Sequence, residues 1–318
     1  MTSLKKIYPL CFKDFSKWVL SKPVYNDFYK KLGEPMPFDV TLRDGLQALP
    51  KAEHDKYTTS KKFDIYKDVI LQYKLKNIEI GSIVSEKVLP IFKDTENLLE
   101  IISSSIQEEE VNNYIVVVNK EKLKTVINNS NINHFSFITS VSNSFQKKNT
   151  KMDLEQSDNE IYEMLYEIDD NNKRLKKPSV KLYISCINEC PLEGKIDNDF
   201  IVNRILKLSK MDIDNICLSD TCGSLTLEDF EYIAETCIYF GLQPSRLSLH
   251  LHVQKEKEKE VEQIIHKALD LKIINFDVSE LKTGGCSVTM KNSSLCPNLS
   301  YDLYYKFLVT YIVKKCDN

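Results

Sequence analysis

Tyr114-Ile115-Val116-Val117-Val118 is apolar at every position, where a half-exposed strand would alternate apolar and polar residues. A short β-branched run of this kind marks a parallel strand buried on both faces by helices. Comparable runs occur at 38–42, 77–81, 135–139, 180–186, 215–218, 247–252 and 275–278. Helical periodicity fills the intervals, at 61–75, 95–105, 120–128, 153–175, 199–211, 227–240 and 258–271, and a last helical stretch covers 301–313. Eight strands alternating with helices fit a (β/α)8 TIM barrel better than an open doubly wound sheet, which usually has fewer units in one domain. A helical lead-in at 14–32 precedes the first strand. The expected organisation is an N-terminal helical extension, residues 1–36, followed by one barrel domain, residues 37–318.

Composition narrows the class of function. Of 318 residues, 42% are hydrophobic and 28% charged, enough for a large core under a charged surface. The net charge of −3, with both signs interspersed, gives no electrostatic footprint for nucleic acid. No apolar run approaches the ~20 residues of a membrane span. The first 22 residues have neither a secretory h-region nor the acid-free, arginine-rich character of a transit peptide, so a cytosolic enzyme is expected. Nine cysteines contain no CxxC pair and are expected to be reduced. No Walker-type or GxGxxG loop occurs, which argues against a nucleotide cofactor held that way. The alternating Lys/Glu run at 255–260 reads as the solvated start of a helix.

The residues able to carry chemistry gather at predicted strand ends, which in a barrel share one rim. Arg43 and Asp44 follow the first strand, Asp220 ends the sixth, and His250 and His252 end the seventh. Two histidines one residue apart in a strand share a face, and with an acidic residue from a distant segment they make a divalent-metal site. A mixed Asp/His set, unlike a cage of thiolates, suits Mg²⁺ or Mn²⁺ with positions left open for substrate. Arg43 adds a permanent cation for an anionic substrate or intermediate. Glu79 lies between Ile78 and Ile80, and a carboxylate inside an apolar strand needs a partner, for which Arg43 is the candidate. Cys286 follows Gly284-Gly285, in a chain with only eight glycines, and fits a loop able to close over a site. Plainer readings stand beside these. Asp44 could cap a turn, Asp220 could serve the start of the next helix, and Cys286 could be an inert thiol.

The segment Asp39-Val40-Thr41-Leu42-Arg43-Asp44-Gly45-Leu46-Gln47 resembles the signature of the TIM-barrel metallolyases. That family includes 3-hydroxy-3-methylglutaryl-CoA lyase, the isopropylmalate and homocitrate synthases, and the carboxyltransferase domain of pyruvate carboxylase. Downstream, Asn77-Ile-Glu-Ile-Gly-Ser82, Gln146-Lys-Lys-Asn149, Cys190-Pro-Leu-Glu-Gly-Lys195, Leu218-Ser-Asp-Thr-Cys-Gly223 and Thr283-Gly-Gly-Cys286 resemble the lyase branch in order. The resemblance implies that Asp44, His250 and His252 ligate a divalent cation, Mg²⁺ or Mn²⁺, with Asn298 as fourth ligand and Asn292 as the alternative. It implies that Arg43 stabilises an enolate oxygen, that Cys286 is the general acid/base, and that Glu79 and Asp220 support them. Gln47, which closes the signature, is the candidate substrate-binding residue. The implied reaction is retro-Claisen cleavage of a 3-hydroxy-3-methylglutaryl thioester to acetyl-CoA and acetoacetate, by a homodimer acting on an acyl-CoA.

The chain departs from the pattern in three places. Val253 follows His252 where the family has Asn or Asp. The loop from Ser287 to Pro297 is longer and less glycine-rich than the family's. The glutamate expected after the ligand asparagine is absent, leaving Tyr301 or Asp302. Two alternatives follow: a Claisen- or aldol-type acyltransferase on a 2-oxo acid, and a metal-binding barrel without catalysis.

Overall fold

The computed structural model describes residues 19–105, 111–129, 132, 134–171, 177–285, 290 and 295–317. Eight parallel strands form a closed barrel: β1 Pro37–Asp39, β2 Asn77–Ile83, β3 Asn112–Val117, β4 His134–Ser140, β5 Ser179–Ser185, β6 Asn215–Asp220, β7 Leu247–Leu251 and β8 Asn275–Val278. They follow chain order around the barrel, and β1 closes on β8 with Phe38 opposite Asp277. Each strand turns alternate side chains outward, such as Leu182 and Ile184 of β5 or Leu249 and Leu251 of β7, all buried under the surrounding helices. The predicted (β/α)8 class is therefore the observed one. Of the lead-in, the helix Pro23–Lys31 lies among the described residues, with proline at its first position.

Side chains in the loops set where the outer helices begin. Thr58, Asn119, Asp197, Thr226 and Ser300 each accept a hydrogen bond from the backbone N–H three residues on. Asp153 and Gln156 form a reciprocal capping box ahead of Leu154–Asp169. Two local expectations need correction. The first strand does not run to residue 42, because the Asp39 carboxylate takes both the N–H (3.0 Å) and the hydroxyl (2.6 Å) of Thr41 and ends the strand there. The chain then winds through one π-helical turn, Thr41–Gly45. The polar segment around Gln146, outside every predicted helix, holds a short helix, Asn143–Thr150, started by Ser142.

The barrel's interior decides what the molecule is for. Interior positions of such barrels are usually bulky aliphatics. Here Glu79, Lys181, Tyr183, His250 and Asp277 are all buried. Polar groups are costly there unless paired, and each of these has a partner.

Candidate metal centre and active site

The π-turn after β1 delivers Arg43 and Asp44 into the barrel mouth, both buried. β7 and the residue after it bring His250 and His252 to the same point, as the period-2 alternation requires. One ligand atom from each of Asp44, His250 and His252 can be chosen so that all lie within 4.8 Å of one another. Oδ2 of Asp44 is 3.8 Å from Nε2 of His250 and 3.6 Å from Nε2 of His252.

The other nitrogen of each ring is committed elsewhere. Nδ1 of His250 faces Oδ2 of Asp277 at 3.1 Å, and Nδ1 of His252 faces the Asp220 carbonyl at 2.9 Å. Both partners are acceptors, so each Nδ1 carries a proton, and each Nε2 is turned toward Asp44, where it becomes a ligand atom once its own proton is absent. Asn298 reaches the same place from the far end of the chain, through an isolated β-bridge to His252. Its amide nitrogen donates to the Thr283 carbonyl at 3.0 Å, which leaves Oδ1 buried without a partner. Nε2 of His252 is likewise buried without a hydrogen bond. Two orphaned acceptors beside a carboxylate, all buried, are the donor set of a hard or borderline cation with outside positions left for oxygen ligands.

The local field agrees with this geometry. Burial alone would raise the Asp44 carboxyl, but Arg43 and the two histidines hold it well below the usual carboxylate range. Burial alone would lower His252, yet the neighbouring Asp44 carboxylate outweighs it and raises the imidazole. The cluster favours positive charge at its centre.

Arg43 is fixed from three sides. Its Nε bonds Glu79 and its Nη1 bonds Oδ1 of Asp44 at 2.6 Å. Its guanidinium also lies 4.9 Å from the centre of the Tyr183 ring. The Tyr183 hydroxyl in turn donates to Glu79 at 3.2 Å. Burial, with Asp277 and Glu79 nearby, pushes the Tyr183 phenol well above its ordinary range, so it remains a donor. The pairing of Glu79 with Arg43 expected from the sequence is thus observed. These groups border a cavity of about 50 Å³ whose lining includes Arg43, Asp44, Gln47, Tyr183, Ser219 and His252. A larger cavity of about 820 Å³ is bordered by Asn298, Cys222, Gln254, Lys282 and Cys296.

Other sequence-predicted residues fall differently. Asp220 does not border the small cavity. Its carboxylate accepts the N–H groups of Ser224 (3.0 Å) and Leu225 (3.1 Å), so its side chain holds the loop after β6, and its carbonyl orients His252. Cys286 and Asn292 lie outside the described residues. The seven cysteines among the described residues are free thiols. Val253, where a polar residue was expected, contributes its backbone, which donates to the Pro297 carbonyl at 2.8 Å and holds the Asn298 segment beside His252. Tyr301, a stand-in for the missing glutamate, instead donates to Asp39 at 2.7 Å, under the barrel wall.

Tyr183 and Asp277 were not singled out from the sequence. Each is a polar residue at an inward position of a strand otherwise built for the core, the same signal that marked Glu79.

Comparison with known proteins places the fold. Residues 35–254 match the family model described as HMGL-like. The mitochondrial hydroxymethylglutaryl-CoA lyase of Bos taurus is 29% identical over 185 residues, 58% of this chain and 53% of that protein, so the match spans about half of the curated relative. A hydroxymethylglutaryl-CoA lyase from Pseudomonas aeruginosa superposes with a TM-score of 0.73 at 22% identity, covering 87% of this chain and 86% of that one. The enzyme of that name from Acinetobacter baumannii, solved with coenzyme A and 3-methylmalate, gives 0.67 at 22% identity over 89% and 82% of the two chains.

Proposed function

Since the chain belongs to the HMGL-like family, we propose that it is a divalent-metal-dependent carbon–carbon lyase that cleaves a 3-hydroxy-3-methylglutaryl-type thioester to acetyl-CoA and acetoacetate. The observation that carries this reading is the convergence of Asp44, His250 and His252 on one buried point beside Arg43, with Asn298, bridged to His252 through its backbone and with a buried, unpartnered Oδ1, as the candidate fourth ligand. Bound there, Mg²⁺ or Mn²⁺ would act as a Lewis acid on the substrate's hydroxyl and carboxylate oxygens.

The chain's own residues supply the rest. Arg43 offers a fixed guanidinium to the thioester oxygen as negative charge accumulates there during carbon–carbon cleavage. Glu79 and Tyr183 hold that guanidinium in place before substrate arrives, so no reorganisation is needed in the transition state. Gln47, bordering the same cavity, is the candidate contact for substrate. Cys286 is assigned as general acid/base: its thiol gives a proton to the acetyl carbon, and the proton lost by the substrate hydroxyl restores the thiol, so the cleavage is proton-neutral. Asp220 is assigned an indirect part, through its carbonyl on His252. The CoA portion of the substrate is assigned to the larger cavity, which adjoins the metal position through Asn298.

Purified protein with Mn²⁺ or Mg²⁺ and the 3-hydroxy-3-methylglutaryl thioester should release acetoacetate, followed by coupled reduction, and chelation should abolish the release. Tight Mn²⁺ binding without product from this thioester would overturn the assignment of the reaction while leaving the metal centre in place.

A further inference from the structure

Lys181 lies inside the barrel, buried, on the inward face of β5 two residues before Tyr183. Its ammonium is 2.5 Å from Oδ1 of Asp277 and sits over the rings of Phe38 (3.5 Å to the centroid) and Tyr183 (4.6 Å). Asp277 in turn uses its second oxygen, Oδ2, on Nδ1 of His250. A chain of three side chains from three strands, β5, β8 and β7, therefore ends on a proposed metal ligand.

A buried ion pair is weak evidence of stability, because well-packed apolar residues in its place are often neutral or better. Retention of the pair therefore calls for another account, and geometry supplies one. A carboxylate with one oxygen anchored cannot rotate to offer both oxygens elsewhere. With Oδ1 held by Lys181, Oδ2, which the Cys217 thiol also reaches at 3.8 Å, is left as a fixed acceptor for the Nδ1 proton of His250, and Nε2 is left facing Asp44.

We propose that Lys181 is a positioning residue for the metal centre, anchoring Asp277 so that His250 is held in the ring orientation and tautomer that binds a divalent cation. The proposal rests on the metal centre inferred above, and its readout is cation binding, so it is decided separately from which thioester is cleaved.

The test is Mn²⁺ binding to metal-free protein, measured by the free-ion EPR signal, on wild type, Lys181→Met, Lys181→Arg and the paired variant Lys181→Met/Asp277→Asn. Long-range ¹H–¹⁵N spectra report the His250 tautomer in the same samples. Lys181→Met leaves Asp277 in place but unanchored, so it should weaken Mn²⁺ binding by about 10-fold, the low end of the effect of disturbing an outer partner of a metal-bound histidine, with a mixture of tautomers at His250. Lys181→Arg should rescue binding to within about 3-fold. The paired variant leaves no charge buried alone and so keeps the barrel folded, yet its amide can present N–H as readily as C=O to Nδ1. It should bind as weakly as Lys181→Met.

Wild-type Mn²⁺ affinity in either folded Met variant, or one unchanged His250 tautomer, would overturn the role of Lys181. Failure of the wild-type protein to bind Mn²⁺ at all would overturn the metal centre and this inference together.

Discussion

Arg43 has two functions that separate on substitution. In the proposed reaction it is the cation offered to a developing oxyanion, and in the fold it is the counter-charge that lets Glu79 be buried in β2. Arg43→Gln removes both. Turnover of the thioester should fall by at least about 10²-fold, the cost of losing one preorganised donor. Unfolding free energy should fall by roughly 3–5 kcal/mol, because Glu79 is left without its partner. Mn²⁺ binding should persist, since Asp44 turns Oδ2 to the histidines and only Oδ1 to Arg43. Adding Glu79→Gln should restore most of the stability and none of the turnover. Chemical denaturation and a coupled assay on the two variants distinguish these effects, and recovery of activity in the double variant would remove Arg43 from the chemistry. At this scale the sequence was most legible where a charged residue sat at a strand end or inside an apolar run. Asp44, His250, His252 and Glu79 could be read that way. Lys181 and Asp277 carry the same signal, but their partners lie 96 positions apart and only the closed barrel pairs them.

The segments that follow the strands convert residue chemistry into placement, and the one after β8 depends on a glycine. Gly284 packs so closely that a Cβ there would lie 2.7 Å from the backbone nitrogen of Asn298 and 2.8 Å from its side-chain Cγ. Gly284→Ala must therefore push Asn298 away from His252 without altering any ligand. We expect Mn²⁺ affinity to fall by about 10-fold or more while the helices and strands keep their far-ultraviolet circular dichroism. Titration calorimetry measures this, and an alanine variant that binds Mn²⁺ like wild type would show that Asn298 is not a ligand. Element by element, the strand and helix alternation was visible because parallel strands need apolar residues on both faces. The early end of β1 was not visible, since it depends on a side chain, Asp39, capturing Thr41 two residues on. Nor was the Asn143–Thr150 helix, which is too short and polar for a helical period to emerge.

For the whole molecule, a carboxyl buried between β1 and the last helix makes stability vary with pH. Burial raises the Asp39 carboxyl from 3.8 to about 7, against hydrogen bonds from Thr41 and Tyr301 that only partly offset it. The folded protein thus holds a proton here that the unfolded chain has released. Stability from this group is full below about pH 4 and declines as pH rises to about 7, by up to about 4 kcal/mol. Asp39→Asn should flatten that decline, so the variant gains on wild type between pH 4.5 and 7.5 in melting experiments on metal-free protein. A constant difference between the two across that range would contradict the burial account. The barrel class itself was legible from repetition alone, whereas the closure of β1 on β8, with Phe38 opposite Asp277, is a property of the finished circle. That closure has a consequence for the order in which the molecule is made. Asp44 enters with the first strand, whereas His250, His252 and Asn298 arrive more than 200 residues later. The slow, non-local pairing that joins the two ends also assembles the ligands. On the proposed metal centre, a barrel whose two ends have not met lacks part of its ligand set, so cation binding would withdraw only finished molecules from the folding equilibrium. The metal position is thereby a check on completion, placed across the seam where the chain meets its own beginning.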